Sequence, residues 1–147
     1  MGSIGQRHLR NIRQIKKKYK IFAVRKKKNS PQLNIDNKVV NKKFSSYDNG
    51  ITEITEKKST NIKFHAVFIC NPSSMHLKSS IAHAKNGSNL FIEKPLSNNM
   101  KYVEQLGRLI KQKKIKCAVG YQLRYHPFLE KIKNYINSKK LGKIKEA

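Results

Sequence analysis

The first residues with chemistry to offer are two glycines at the very start. Gly2-Ser3-Ile4-Gly5 opens an amphipathic stretch. A G-x-x-G turn leading into a helix is the second half of a G-x-G-x-x-G fingerprint. In that fingerprint one glycine lets the backbone approach a pyrophosphate and the next lets the helix pack close to a sheet. The first helical N–H groups are then free to bind the anion. The first glycine and the strand before it are not in the sequence, so the same four residues also suit any helix that starts after a glycine turn. Arg25 ends a short apolar run, where an NAD-preferring domain carries an acidic residue for the ribose hydroxyls. With Lys26, Lys27 and Lys28 it suits the 2′-phosphate of NADP better; the plain alternative is a basic turn. Cys70 and Cys117 sit in or beside apolar runs with no C-x-x-C spacing. They read as free buried thiols of a cytoplasmic protein, without a metal site.

The elements that would position these groups follow from periodicity. Ile4, Leu9, Ile12 and Ile15 fall on one side of a helix over residues 3–18, with Tyr19 just beyond and Arg and Lys opposite. Residues 21–24 are a continuous apolar run, as in a strand covered on both faces. Residues 26–65 are polar and poorly periodic, with a short strand expected near Phe44 and a weak helix around Ile51 and Ile54. From residue 66 the pattern sharpens. A buried strand over 66–70 leads to a turn, Asn71-Pro72-Ser73-Ser74, carrying N-cap residues. A helix with Leu77, Ile81 and Ala84 on one face closes at Asn86-Gly87. Next come a strand over 90–92, and a helix capped by Asn98 or Asn99 that groups Met100, Val103, Leu106 and Ile110. A strand over 115–121 follows, and then a helix after His126-Pro127 with Phe128, Ile132, Tyr135 and Ile136 inward. Strands alternating with helices of this length predict an α/β fold with a doubly wound parallel sheet.

Composition bounds the function. At 147 residues the chain is one domain's length. Its longest apolar run, 66–70, is far short of the roughly 20 residues of a membrane span, and its first residues have no signal-peptide core. The net charge of +25 points first to nucleic acid. Nucleic-acid readers, however, concentrate charge on one element and favour Arg. Here Lys far outnumbers Arg and is spread over nearly every segment, which reads as solvated outer faces. The abundance of Lys, Ile and Asn together is what AT-rich codons would produce.

Four stretches match one family together: GSIGQRHLRNI at 2–12, AVFICNPSSMHLKSSIAHAKNG at 66–87, LFIEKPLS at 90–97 and GYQLRYHP at 120–127. The chain resembles the N-terminal half of the glucose–fructose oxidoreductase / inositol dehydrogenase (Gfo/Idh/MocA) family. The resemblance implies a Rossmann-type dinucleotide-binding domain, lacking its first strand, over residues 1–125. Residues 126–147 would be a linker helix and the start of an α/β substrate domain. It implies NAD or NADP as cofactor, with the basic run after Arg25 leaning to NADP, although the family also stacks an arginine there on adenine. Gly2, Ser3, Ile4 and Gly5 would contact the pyrophosphate. Asn71, Pro72 and His76 would lie along the dinucleotide, His76 being otherwise a helix-start surface residue. Lys94 would sit near the nicotinamide and a substrate hydroxyl, as the catalytic and a substrate-binding residue. A cation there stabilises alkoxide charge and can relay a proton. Glu93 would position it within the cofactor site. Gln122 would belong to the cofactor side and Arg124 to the substrate side, a structural ion pair being the other reading of Arg124.

Departures from the family bear on activity. The first strand and first glycine are missing, and His65 stands where the family places an acidic residue. The sequence stops where the family's second domain begins, before its acid/base histidine. A central first strand would bury roughly five apolar side chains, on the order of 7–15 kcal/mol, as large as a domain's net stability. The chain is therefore expected to be marginally stable and, by itself, not a competent enzyme. Its longer parent would be a cytoplasmic, homo-oligomeric dehydrogenase acting on a CH–OH group of a sugar, nucleotide-sugar or cyclitol. A non-catalytic nucleotide-binding remnant and a basic nucleic-acid-binding protein are the alternatives.

Overall fold

Short runs rich in apolar or β-branched residues form most of the strands, and amphipathic segments form the longer helices between them. The computed structural model describes residues 2–15, 19–24, 32–33, 38–40, 51–140 and 142–146. In order these give α1 (Ser3–Ile15), β1 (Ile21–Val24), β2 (Gln32–Leu33), β3 (Val39–Val40), β4 (Ile51–Ile54) and α2 (Glu56–Ser59). Then follow β5 (Ala66–Ile69), α3 (His76–Lys85), β6 (Asn89–Ile92), α4 (Val103–Lys113), β7 (Cys117–Val119) and α5 (Pro127–Asn137). Phe44 and Arg25 lie outside the described residues.

β5, β6 and β7 form a parallel sheet in that order, with Phe68 beside Phe91 and Ile69 beside Ile92. β1 and β4 form a second parallel pair, Ile21 opposite Ile51, and β2 and β3 a short antiparallel one. Because side chains alternate across a strand, the register sends Ile69, Leu90 and Ile92 to one face and Phe68 and Phe91 to the other. The first face packs on α3 and α4 through Leu77, Ala84 and Leu106, closing the core with Ile115. The second is covered by α1, whose His8 ring lies 5.5 Å from Phe68 and 5.2 Å from Phe91. Helices on both faces of parallel strands make this a doubly wound α/β fold. Among the described residues no hydrogen bonds join β1–β4 to β5–β6–β7, so β5 has a free edge.

Several expectations are corrected. Ile51 and Ile54 lie on a strand, because four residues rich in β-branched types find a parallel partner in β1. The helix starts only after Thr55, whose side chain caps it by accepting from the Lys58 N–H. β1 and β5 are only partly covered: Val24 is 41 % and Phe68 40 % exposed, in keeping with unpaired edges. β7 spans only Cys117–Val119, shorter than the expected 115–121. Ile15 is 81 % exposed, outside the buried side of α1. α4 starts at Val103 behind a left-handed Tyr102 and is not capped by an asparagine; Met100 precedes it and is 80 % exposed. α5 does not bury its apolar side. Phe128 is 71 % and Ile132 50 % exposed, because among the described residues little but the turn before α5 packs against it. The stop at Asn86-Gly87 is as expected, with Gly87 at φ +73 and its N–H donating to the Ala84 carbonyl.

Candidate functional site

In an open parallel sheet, ligands bind outside the carboxyl ends of the strands. Here three loops leave those ends together: Cys70-Asn71-Pro72 after β5, Glu93-Lys94-Pro95 after β6, and Gly120-Tyr121-Gln122 after β7. Their roots are tied by backbone bonds, Glu93 N–H to the Ile69 carbonyl (3.0 Å) and Gly120 N–H to the Ile92 carbonyl (2.8 Å).

Glu93 is the hub. Its side chain is 14 % exposed, and Oε1 lies 2.5 Å from Nε2 of His8. A carboxylate only accepts, so the imidazole donates. Oε2 accepts from the Lys94 backbone N–H at 3.3 Å. Gly120 makes the room: a Cβ there would come 3.2 Å from the Phe91 ring and 3.3 Å from Glu93 Oε1. The Lys94 ammonium, by contrast, is exposed and makes no side-chain hydrogen bond or ion pair among the described residues. It is free to meet a ligand.

His76 is buried, not a surface residue. Its Nδ1 lies 2.7 Å from the Pro95 carbonyl oxygen and its Nε2 2.8 Å from that of Asn71. Carbonyls only accept, so a protonated Nδ1 ties the ring to the β6 loop at Pro95 and a protonated Nε2 ties it to the β5 loop at Asn71. Asn71 donates from Nδ2 to Ser79 Oγ (2.8 Å), while its buried Oδ1 has no partner among the described residues. Pro72 precedes a 3₁₀ turn, Ser73–Met75, and its carbonyl accepts from Met75. Between the loops, Cys70 is inert: burial, and secondarily the Glu93 charge, push its thiol up to about 12. Burial likewise raises the Cys117 thiol. Both cysteines are free.

α1 meets this group through His8. Its first turn carries no acidic residue. Gly5 is buried and Gly2 exposed, with nothing within 4 Å of where a Cβ on Gly2 would stand. Ser3 is exposed and Ile4 half-buried. The point at which α1 meets Glu93 is His8, six residues and about 9 Å of helix beyond Gly2. The exposed N–H groups at the start of α1 and the Lys94 ammonium, which has no side-chain partner among the described residues, are donors that fit the phosphates and hydroxyls of a dinucleotide. Gln122 and Arg124 lie on an exposed 3₁₀ turn, Gln122–Tyr125. Their side chains make no hydrogen bond or ion pair among the described residues, so the structure does not bring them to the hub. Also among the described residues, no group of three or more His, Cys, Asp or Glu is placed to hold a metal.

Two residues of the hub were not singled out from sequence. His8 could have been: it stands at i+4 from Ile4 and i−4 from Ile12, a polar residue inside an apolar stripe. Gly120 had no such signal, since its need for smallness comes from neighbours distant in sequence.

A family model described as the oxidoreductase family with an NAD-binding Rossmann fold (Gfo/Idh/MocA) matches residues 1–121. The chain belongs to the Gfo/Idh/MocA family. Among its relatives is the scyllo-inositol 2-dehydrogenase (NAD(+)) of Bacillus subtilis, 32 % identical over 78 residues, which are 53 % of this chain and 23 % of that protein. The inositol 2-dehydrogenase of Rhizobium meliloti is 27 % identical over 79 residues, 54 % of this chain and 24 % of the relative. Among solved structures, the scyllo-inositol dehydrogenase of Lactobacillus casei with bound NAD(H) and scyllo-inositol superposes with a TM-score of 0.72. It is 22 % identical, and the match covers 98 % of this chain and 41 % of that one. The myo-inositol 2-dehydrogenase of Lactobacillus plantarum gives a TM-score of 0.74 at 23 % identity, covering 97 % and 40 %. At these identities the superpositions speak for the fold. The chain thus spans less than half the length of the relatives it matches.

Proposed function

We propose that the protein to which this chain belongs is a pyridine-nucleotide dehydrogenase that oxidises a secondary alcohol of a cyclitol or related sugar. The observation that supports the reading is the contact of α1, through His8, with Glu93 on the loop that presents Lys94, whose ammonium has no side-chain partner among the described residues. When bound, the nicotinamide ring supplies the hydride chemistry. The rest falls to this chain's residues. The free N–H groups of Ser3, Ile4 and Gly5 hold the pyrophosphate, with Gly2 leaving room for its approach. Asn71 offers its free Oδ1 along the dinucleotide, and Pro72 shapes that turn. His76 acts through the backbone, holding the Asn71 and Pro95 carbonyls in register. Glu93 orients Lys94, and the Lys94 ammonium stabilises negative charge at the alcohol oxygen and can take part in moving its proton. Gln122 and Arg124 reach the cofactor and the substrate on completion of the site.

The finer features are read the same way. Arg25 with its three lysines favours NADP, while the Bacillus relative's name favours NAD. Residues 1–125 are the dinucleotide domain. Residues 126–147 are a linker helix into a second domain, a reading supported by the uncovered apolar side of α5. That second domain would supply the substrate pocket and the subunit interface. Free thiols suit the cytoplasm, and no described helix is long and apolar enough to cross a membrane.

Titration with NADH and with NADPH at physiological salt, followed by nicotinamide fluorescence, tests the reading. Saturable binding is expected, abolished by Gly5→Val and weakened about tenfold by Lys94→Ala, the scale of one charge-assisted contact. Tighter NADPH binding would support the reading of Arg25. Binding of neither, or binding indifferent to both substitutions, would overturn the site.

A further inference from the structure

We propose that His8 is a positioning residue for Lys94, acting through Glu93; the proposal rests on the dinucleotide reading of the α1 N-terminus. A carboxylate as little exposed as that of Glu93 needs partners for its oxygens, and the structure gives it one on each. His8 Nε2 donates to Oε1 at 2.5 Å and the Lys94 N–H donates to Oε2. The imidazole is itself held, by Phe68 at 5.5 Å and Phe91 at 5.2 Å. On its other side the carboxylate meets the space kept clear by Gly120. Glu93 therefore has one place to sit, and the backbone of Lys94 hangs from it.

A single hydrogen bond contributes only modest net stability. This one is useful for direction, because the Lys94 ammonium has no side-chain partner of its own among the described residues. On the dinucleotide reading, the chain of contacts starts on the helix that would hold the pyrophosphate and finishes at the residue that would meet the nicotinamide. Through His8, a ligand seated on α1 and the aim of Lys94 are mechanically joined.

His8→Phe keeps a ring between Phe68 and Phe91 and removes the donor, whereas His8→Gln restores a donor. Glu93→Gln serves as a second route should His8→Phe not fold. Two readouts are needed: the Lys94 amide cross-peak in a nitrogen–proton NMR spectrum, and NADH affinity in a double-mutant cycle with Lys94→Ala. The Lys94 amide is expected to move in His8→Phe and return toward its place in His8→Gln. NADH binding should weaken about tenfold in His8→Phe, and the double variant should bind no more weakly than Lys94→Ala alone. A merely structural His8 would give losses that multiply, and that result, or an unmoved Lys94 amide, overturns the proposal. If the unaltered chain binds no NADH, the dinucleotide reading fails, and the amide peak still decides whether His8 positions Lys94.

Discussion

At the scale of single residues, the site depends on what small or polar groups leave free. Gly120 is the sharpest case. Its added Cβ would press on the Phe91 ring at 3.2 Å and on Glu93 Oε1 at 3.3 Å, and both are already held by His8. Gly120→Ala should therefore cost about 1–3 kcal/mol, as overpacking of a tight site does, and should weaken NADH binding as well. Urea unfolding measures the first effect. An unchanged midpoint would mean that the ring and carboxylate have slack, and that Glu93 is not confined as argued. His76 shows the reverse principle. Its motif position is legible in the sequence, yet its role is not, because two backbone carbonyls from loops 19 and 5 residues away occupy both nitrogens. Spacing can place a histidine at a loop without saying what it will bind.

At the scale of elements, the segments easiest to read were those whose environment is local. β6, α3 and the Asn86-Gly87 stop follow directly from an apolar run, a 3.6-residue stripe and a left-handed glycine. β4 was not, because its two isoleucines three residues apart fit a helix as well as a strand. Only pairing with β1, across residues with no clear pattern, decides for the strand. α5 was read correctly as a helix, with His126 accepting from the Phe128 N–H and Pro127 at its start, but its apolar side was expected inward. Ile132 is 50 % and Phe128 71 % exposed, and periodicity alone cannot say which surface an amphipathic helix covers. Ile132→Lys should accordingly leave the stability of this chain within about 0.5 kcal/mol, measured by chemical unfolding. A loss above about 2 kcal/mol would show that α5 packs on the domain after all.

At the scale of the whole molecule, two features set the terms: strands that pair in separate sections among the described residues, two of them parallel, and a net charge of +25. β5, β6 and β7 carry helices on both faces, and the core lies around them. The charge is dispersed and the acidic side chains are few, so an anion meets an attractive field from every side. Dispersed charge can raise the rate of encounter with a dinucleotide, but it cannot choose the place of binding. In the proposed reading, that choice belongs to the α1 N-terminus and the loops after β5 and β6. Mapping NADH onto the chain by nitrogen–proton NMR, at physiological salt, tests this most directly. The amides of Gly2, Ser3, Ile4, Gly5, Asn71 and Lys94 should shift together and saturate with one affinity. Shifts scattered over lysine-rich helix faces, or vanishing as salt is raised without any preference for those six, would contradict a built dinucleotide site.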